Sequence, residues 1–405
     1  MSALERIRVL ELGQVIAGTF AGMILADLGA DVIKIEAPRG DLGRNPQIAP
    51  LGGESALFLT FNRGKKSVVI DLKKEGGLAV LDDLVRHSDV VIDNFRPGVL
   101  DRIGAGHDRL AGINPGVVSC SITGFGEGDA ERTAPSFDLI HQALSGLLSV
   151  TGERDGPPVR IGIPLADVAT PMFALHGILA ALVARQFTGQ GQRIDVSMFQ
   201  AMTFLHTYDA VIYLNGGEQP HAWGTQHAHH VPWQAFETSD GHIVVATREE
   251  VFWKNLCRAI GLPELAADPR FAENAGRVAH REELIPILAE RITRRTSAEW
   301  MGIFRAGQVP AAPVNDLAGA LAERALNSGG GGVIEVPFAP LGSLRMLANP
   351  VRMSDGEPRR SAPPLLGEHT RQVLGAVAGY RPEAIAELER RGVVASRAKV
   401  ADRPL

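Results

Sequence analysis

Arg8-Val-Leu-Glu-Leu12, the stretch Ala17 to Leu28, and Ala30-Asp-Val-Ile-Lys-Ile-Glu36 decide the fold. A short apolar strand enters a glycine-containing turn, and a helix rich in small residues follows. Gly29 stops that helix and a second strand begins at once. This is a βαβ unit, and a crossover through a helix makes its two strands parallel. The rhythm repeats outward from there. Ser67-Val-Val-Ile-Asp71, a helix from about Glu75 to Arg86, and Asp89-Val-Val-Ile-Asp-Asn94 form a second unit. A third ends in Val117-Val-Ser-Cys-Ser-Ile-Thr123. The implied fold class is α/β: a Rossmann-like, doubly wound large domain.

The chain has 405 residues, long for one core, so two domains are expected. We expect a large α/β, ligand-binding domain over 1–215, a small α+β domain over 222–325, and a return to the large domain over 333–405. The middle region carries all four tryptophans, Trp223, Trp233, Trp253 and Trp300. A strand at His242–Thr247 and helices at Val251–Ile260, Arg281–Arg294 and Ser297–Ala306 are predicted there. The glycine run Asn327–Gly332 and the prolines Pro337, Pro340, Pro350, Pro358, Pro363 and Pro364 predict a long extended return path. Helices at Thr370–Ala378 and Pro382–Arg391 close the chain.

A net charge of −5 argues against nucleic acid as partner, though a local cation cluster still suits a small anion. Cys120 and Cys257 read as buried, reduced thiols, and the N-terminus lacks a signal-peptide core, so a cytoplasmic location is expected. The apolar run Phe173–Ala184 is shorter than the roughly 20 residues a bilayer requires, so no membrane is expected.

Arg160-Ile-Gly-Ile-Pro-Leu-Ala-Asp167 delivers one carboxylate in an apolar setting. Thr170 reads as a helix N-cap and Pro171 as the first helical residue, with Asp167 just before the helix. Asp167 is then either a turn residue or a nucleophile kept ionised by the helix N-terminus. Gly177, Ala180, Ala181 and Ala184 give a small-residue face, and His176 reads as a core histidine. The cations Arg63, Lys65, Lys66, Lys73, Arg96 and Arg102 flank strand ends. They form either a solvated rim or a site for a phosphorylated ligand, with Phe95 as a flat face for a base. The first turn, Gly13-Gln-Val-Ile-Ala-Gly18-Thr-Phe-Ala-Gly22, does not spell G-x-G-x-x-G. Its glycines allow close approach of a ligand or of another helix. Gly124-Phe-Gly-Glu-Gly128 makes a poor phosphate loop. His227, His229 and His230 lack further ligands at metal spacing, so no metal is expected. No G-x-S-x-G signals a serine triad.

Several stretches together resemble the class III CoA-transferases, the CaiB/BaiF-like group of formyl-CoA transferase and carnitine CoA-transferase. They are Ala26–Glu36, Phe61–Ser67, Asp93–Gly98, Phe137–Gly146, Pro164–Asp167, Thr188–Gln192 and Pro364–His369. The resemblance implies a homodimer of interlocked rings, each chain threaded through the other. It implies coenzyme A, as acyl-CoA, for the ligand and Asp167 for the catalytic aspartate. The implied chemistry moves CoA from a donor thioester to a carboxylic acid through acyl-aspartyl anhydride and aspartyl-CoA thioester intermediates. Carried over by position, CoA contacts fall on Ile16, Ala17, Arg39, Ile70, Asp71, Leu72, Lys73, Asn94, Phe95, Arg96, Arg102, Thr123, Gly124, Phe125 and Gly126. Formyl-CoA transferase has Gln, Lys and Tyr in place of Ile16, Thr123 and Phe125. Its tetraglycine loop corresponds here to Trp223-Gly-Thr-Gln-His-Ala-His-His230. A larger or dicarboxylic acceptor held by Gln14, His227, His229 and His230 is expected instead. The racemases of the same fold place a proton-shuttling histidine where this chain has Phe137, which favours transferase over racemase chemistry. A CoA-binding protein without turnover is the remaining alternative.

Overall fold

The computed structural model describes residues 2–323, 326, 332–355 and 361–397. Most of the glycine run, 327–331, and Pro358 lie outside the described residues. The chain divides into two compact units, one of Met1–Leu147, Ile161–Val211 and Gly329–Leu405, the other of Leu148–Arg160 and Ile212–Ser328. Residues 148–160 fall inside the span predicted for the large domain, yet they cluster with the second unit.

The first unit is built on seven strands. These are β1 (Arg8–Glu11), β2 (Asp31–Glu36), β3 (Lys66–Ile70), β4 (Val90–Asp93), β5 (Val118–Thr123), β6 (Arg193–Ser197) and β7 (Val394–Ala395). Their order is β7-β3-β2-β1-β4-β5-β6, parallel except for β7. The inner strands are apolar almost throughout because helices cover both faces. Val9, Leu10, Val32, Ile33, Val68, Val69, Val90 and Ile92 are all buried. The strand order reverses direction between β1 and β4, and ligands of such sheets bind at the carboxyl ends there. Among the connecting helices are α1 (Ala17–Asp27), α2 (Gly77–Val85), α3 (Asp138–Leu144) and α4 (Leu165–Thr188).

Three expectations change. Helix α4 begins at Leu165, so Asp167 lies inside its first turn rather than before it. Thr170 is not its N-cap: the Thr170 hydroxyl donates to the Ala166 carbonyl at 2.7 Å, one turn back, and Pro171 sits within the helix. At 24 residues, α4 is also long and apolar enough to cross a membrane by length and composition, although its central run alone is not. Here it packs on α1, β5 and β6, with Ala174, Ile178, Ala181 and Leu182 buried. Its small-residue face has a definite partner: a Cβ on Gly177 would stand 3.0 Å from Ile194 of β6. His176 is exposed, not part of the core. Finally, the return path is not simply extended. Val333–Phe338 and Gly342–Leu347 pair as an antiparallel hairpin.

In the second unit, Ala311–Pro313, His242–Ala246 and Trp233–Glu237 form an antiparallel sheet. Helices Glu250–Ala259, Arg281–Ile292 and Ser297–Ala306 complete a core around Trp253, Trp300 and Phe304. The Trp300 indole N–H is satisfied by the Ile292 carbonyl at 2.6 Å, as a buried aromatic donor requires.

Candidate active site

A cavity of about 680 Å³ in the first unit is largely apolar in its lining, whereas a second, of about 650 Å³, opens at the carboxyl ends of β1, β2 and β3. Of the residues expected to contact CoA or substrate, Gln14, Arg39, Ile70, Asp71, Leu72, Lys73 and Phe95 line that second cavity. Leu12, Gly13, Val99, Ile103 and, around Arg39, the residues Glu36, Ala37, Pro38, Gly40 and Asp41 line it as well, and sequence reasoning missed these. The signal for Glu36–Asp41 is topological: β2 is the neighbour of β1, so its carboxyl end shares the same rim.

Half of the expected cation cluster is taken up in ion pairs within the protein. Arg63 pairs with Asp27 at 2.6 Å, Lys65 with Glu11 at 2.6 Å and Lys66 with Asp31 at 2.6 Å. Lys73 and Arg39 line the cavity, and among the described residues neither has an ion pair. Arg96 faces a narrow neighbouring cleft with Asp93 and His107, and Arg102 ends a short helix, Val99–Arg102.

The loop at the strand-order reversal is fixed from both sides. Asn94 accepts from Gln14 N–H at 2.8 Å and donates to the Gln14 carbonyl at 2.9 Å. Asp41 accepts from Val15 N–H at 2.9 Å. Between these pins Val15 adopts φ +64°, a left-handed conformation costly for a β-branched residue. The turn glycines are used internally. A Cβ on Gly13 would stand 2.8 Å from the Gly18 Cα, and one on Gly22 would overlap the Glu11 carboxylate. Ile16 and Ala17 are buried at the start of α1.

The segment Thr123–Gly126 turns at the end of β5. Thr123 Oγ1 accepts from Gly126 N–H at 3.0 Å, and Phe125 stands edge-on to His141, with centroids 5.2 Å apart. None of these four residues lines the 650 Å³ cavity.

Because α4 connects the parallel strands β5 and β6, it runs antiparallel to them. Its first turn therefore lies toward the carboxyl edge of the sheet, as the cavity does. Asp167 sits in that turn, half-buried. Burial, and next the negative charge of Asp138, push its carboxyl up to about 6. The expected effect of the helix N-terminus, a lowered value, is outweighed. Asp138 accepts from Ala166 N–H at 2.8 Å.

A family model described as CoA-transferase family III matches residues 4–370. The chain belongs to CoA-transferase family III. It is 37% identical over 400 residues to mouse succinyl-CoA:glutarate CoA-transferase, covering 97% of this chain and 91% of that one. It is 38% identical over 365 residues to acetyl-CoA:oxalate CoA-transferase of Acetobacter aceti, covering 88% and 91%. Its fold matches the crystal structure of a CaiB/BaiF family protein from Brucella suis, with TM-score 0.83, 34% identity, and 93% and 99% coverage. This family III protein is an enzyme, a CoA-transferase.

The remaining candidate residues of this CoA-transferase lie in the second unit. His227 and His230 have ring centroids 4.9 Å apart, and His227 and Trp233 5.2 Å. His229 N–H donates to His227 Nδ1 at 3.0 Å, so the neutral His227 ring carries its proton on Nε2. Arg281 holds the loop from below through Gln226 Oε1, the His227 carbonyl and the Ala228 carbonyl at 2.7–2.9 Å. Among the described residues no group of three or more His, Cys, Asp or Glu converges on a metal position.

Proposed function

We propose that this enzyme moves CoA from an acyl-CoA donor to a dicarboxylic acid through covalent intermediates on Asp167. The observation that carries the reading is a half-buried carboxyl, without a cationic partner among the described residues and raised to about 6, in the first turn of the crossover helix. At neutral pH most of it is ionised, yet it is more basic than an ordinary aspartate and correspondingly more nucleophilic.

Asp167 attacks the donor thioester carbonyl and the C–S bond breaks, giving an acyl-aspartyl anhydride and CoA thiolate. The thiolate attacks the aspartyl carbonyl, releasing the donor acid and forming aspartyl-CoA thioester. The acceptor carboxylate attacks that thioester and displaces the thiolate to give a second anhydride. The thiolate then takes the acceptor's acyl group and restores the Asp167 carboxylate. Each step exchanges one acyl bond for another, so no ATP is consumed.

For CoA, the 650 Å³ cavity offers Phe95, Ile70 and Leu72 as apolar walls and Lys73 and Arg39 as phosphate partners. Ile16, Ala17, Asn94, Arg96, Arg102 and Thr123–Gly126 belong to the same proposal as contacts along the rim. A dicarboxylic acceptor is supported by the printed acceptors of the two relatives, glutarate and oxalate. Gln14, which lines the cavity of the first unit, is its proposed partner. A homodimer, interlocked as in the resemblance, is supported by large apolar side chains left exposed on the first unit: Phe137, Leu144, Val183, Phe187 and Phe204. Light scattering should return twice the 43.2 kDa of the chain; a monomer would remove this part.

The decisive experiment is intact-protein and peptide mass spectrometry after mixing with succinyl-CoA, with and without hydroxylamine. The expected result is a CoA or hydroxamate adduct on Asp167, absent from Asp167→Ala. Turnover without an adduct on Asp167 would overturn the covalent route.

A further inference from the structure

Helix α3 carries two polar side chains one turn apart, Asp138 and Gln142, that the mechanism above does not use. Gln142 is completely buried, so its amide must find partners within the protein. Its Oε1 accepts from Ile161 N–H at 3.0 Å. Its Nε2 donates to Asp138 Oδ2 at 2.8 Å and lies 3.4 Å from the Ile163 carbonyl. The other oxygen of Asp138, Oδ1, accepts from Ala166 N–H. Each Asp138 oxygen is therefore held by one donor. The pair grips the chain at 161, 163 and 166, immediately ahead of Asp167.

We propose that Asp138 and Gln142 are positioning residues that lock the entry to α4 and hold a second negative charge beside the Asp167 carboxylate. This rests on Asp167 being the nucleophile. Both oxygens of Asp138 face N–H donors, so its carboxyl is placed as an acceptor beside the start of α4. Two like charges kept close raise the energy of ionised Asp167. Acylation removes that charge: the anhydride and the thioester are both neutral at this position. The repulsion thus falls away as each covalent intermediate forms, so the charge of Asp138 favours the loaded enzyme over the free one.

Among the described residues, no other charged group offsets this. On α1, Asp27 is taken by Arg63. On β6, Arg193 is taken by Glu127, and Asp195 accepts from Glu127 N–H. His141, next to Gln142, is buried and places Nε2 2.6 Å from Ser136 Oγ, and burial lowers its pKa. The electrostatic environment of Asp167 is therefore set by Asp138, in the same direction as burial.

The test measures the rate of adduct formation on Asp167 by rapid quench with succinyl-CoA, as a function of pH, in the full chain. The wild-type acid limb should fall near pH 6, the value to which Asp167 is raised. Asp138→Asn should move that limb down by about half a pH unit or more. It should also lower the fraction of enzyme present as adduct at equilibrium. Asp138→Glu should restore the limb. Gln142→Met, which keeps volume but frees Asp138, should lower kcat by about tenfold while leaving KM for acyl-CoA unchanged. This variant carries the test if Asp138→Asn does not fold. An adduct in the wild type with an acid limb unmoved in Asp138→Asn would overturn the proposal while leaving the nucleophile in place. A Gln142→Met variant with altered KM and unaltered kcat would overturn it too. A wild type that turns over without any adduct would instead remove the covalent reading itself.

Discussion

Two sets of buried carboxyls stand at the carboxyl edge of the large sheet, and they are treated in opposite ways. Under β1 and β2, Lys34 joins Glu11 at 2.9 Å and Asp41 at 2.7 Å, and Arg44 joins Glu36 at 2.7 Å. Burial alone would raise the Glu36 and Asp41 carboxyls. Arg44 outweighs it at Glu36, and Lys34 with the N–H groups of Gly43 and Val15 outweighs it at Asp41, so both lie below the usual carboxylate range. Asp167 has burial without a cation, and its charged neighbour is another carboxylate. The first set is scaffold: it joins β1, β2 and the turn after β2, and Glu36 and Asp41 are held below the working range. The second is left basic enough to react. At Asp167 the counter-ion is withheld.

The comparison breaks most completely at Asp167. Asp167→Ala should lower transfer by about a thousandfold or more while sparing CoA binding, measured by calorimetry beside the transfer assay. Retained transfer would return Asp167 to the scaffold class. On the other side, Lys34→Met should leave Asp41 without its cation and Glu11 with Lys65 alone. A loss of about 3–5 kcal/mol in urea unfolding is expected; a loss under 1 kcal/mol, the scale of an exposed pair, would show the network to be dispensable. Lys73→Ala should raise KM for acyl-CoA about tenfold with kcat held, an effect that shrinks with added salt. The smallest effect sharpens the contrast. Because the folded value of Asp167 lies above its unfolded 3.8, its ionisation costs stability as pH rises from about 4 through 6. Asp167→Asn should therefore be more stable than wild type at pH 8, by about 1–2 kcal/mol after discounting its partial exposure, and no different at pH 4. Equal stability at both values would deny the withheld counter-ion.

The parallel strands were legible because burial on both faces leaves near-continuous apolar runs such as Val68–Ile70. The residues lining the cavity from β3 and β4 were legible too, since strand ends mark the rim of such a sheet. The start of α4 was not. Thr170 and Pro171 form a plausible local cap, while the donor that begins the helix, Ala166 N–H, is met by Asp138 from α3, far off in sequence. Likewise the partners of Arg63 and Lys65 are Asp27 and Glu11. Nothing near those cations in the chain reveals that they are neutralised. The hairpin at Val333–Phe338 was hidden by Pro337 and Pro340, although its alternating burial is that of a strand. Proline is tolerated there because a two-stranded hairpin is all edge.

The strand β7, far along the chain from the others, closes the outer edge of the sheet beside the cavity. Val394 pairs with Ile70, and Asp71 N–H donates to the Val393 carbonyl at 2.8 Å. Ile70 and Asp71 line the cavity, so that wall acquires its outer neighbour only once the ribosome has passed Ala395. A product shortened before that point leaves β3 as a bare edge beside the pocket, open to pairing with other chains. Among the described strands, the last one to be synthesised is thus the one that closes the binding wall.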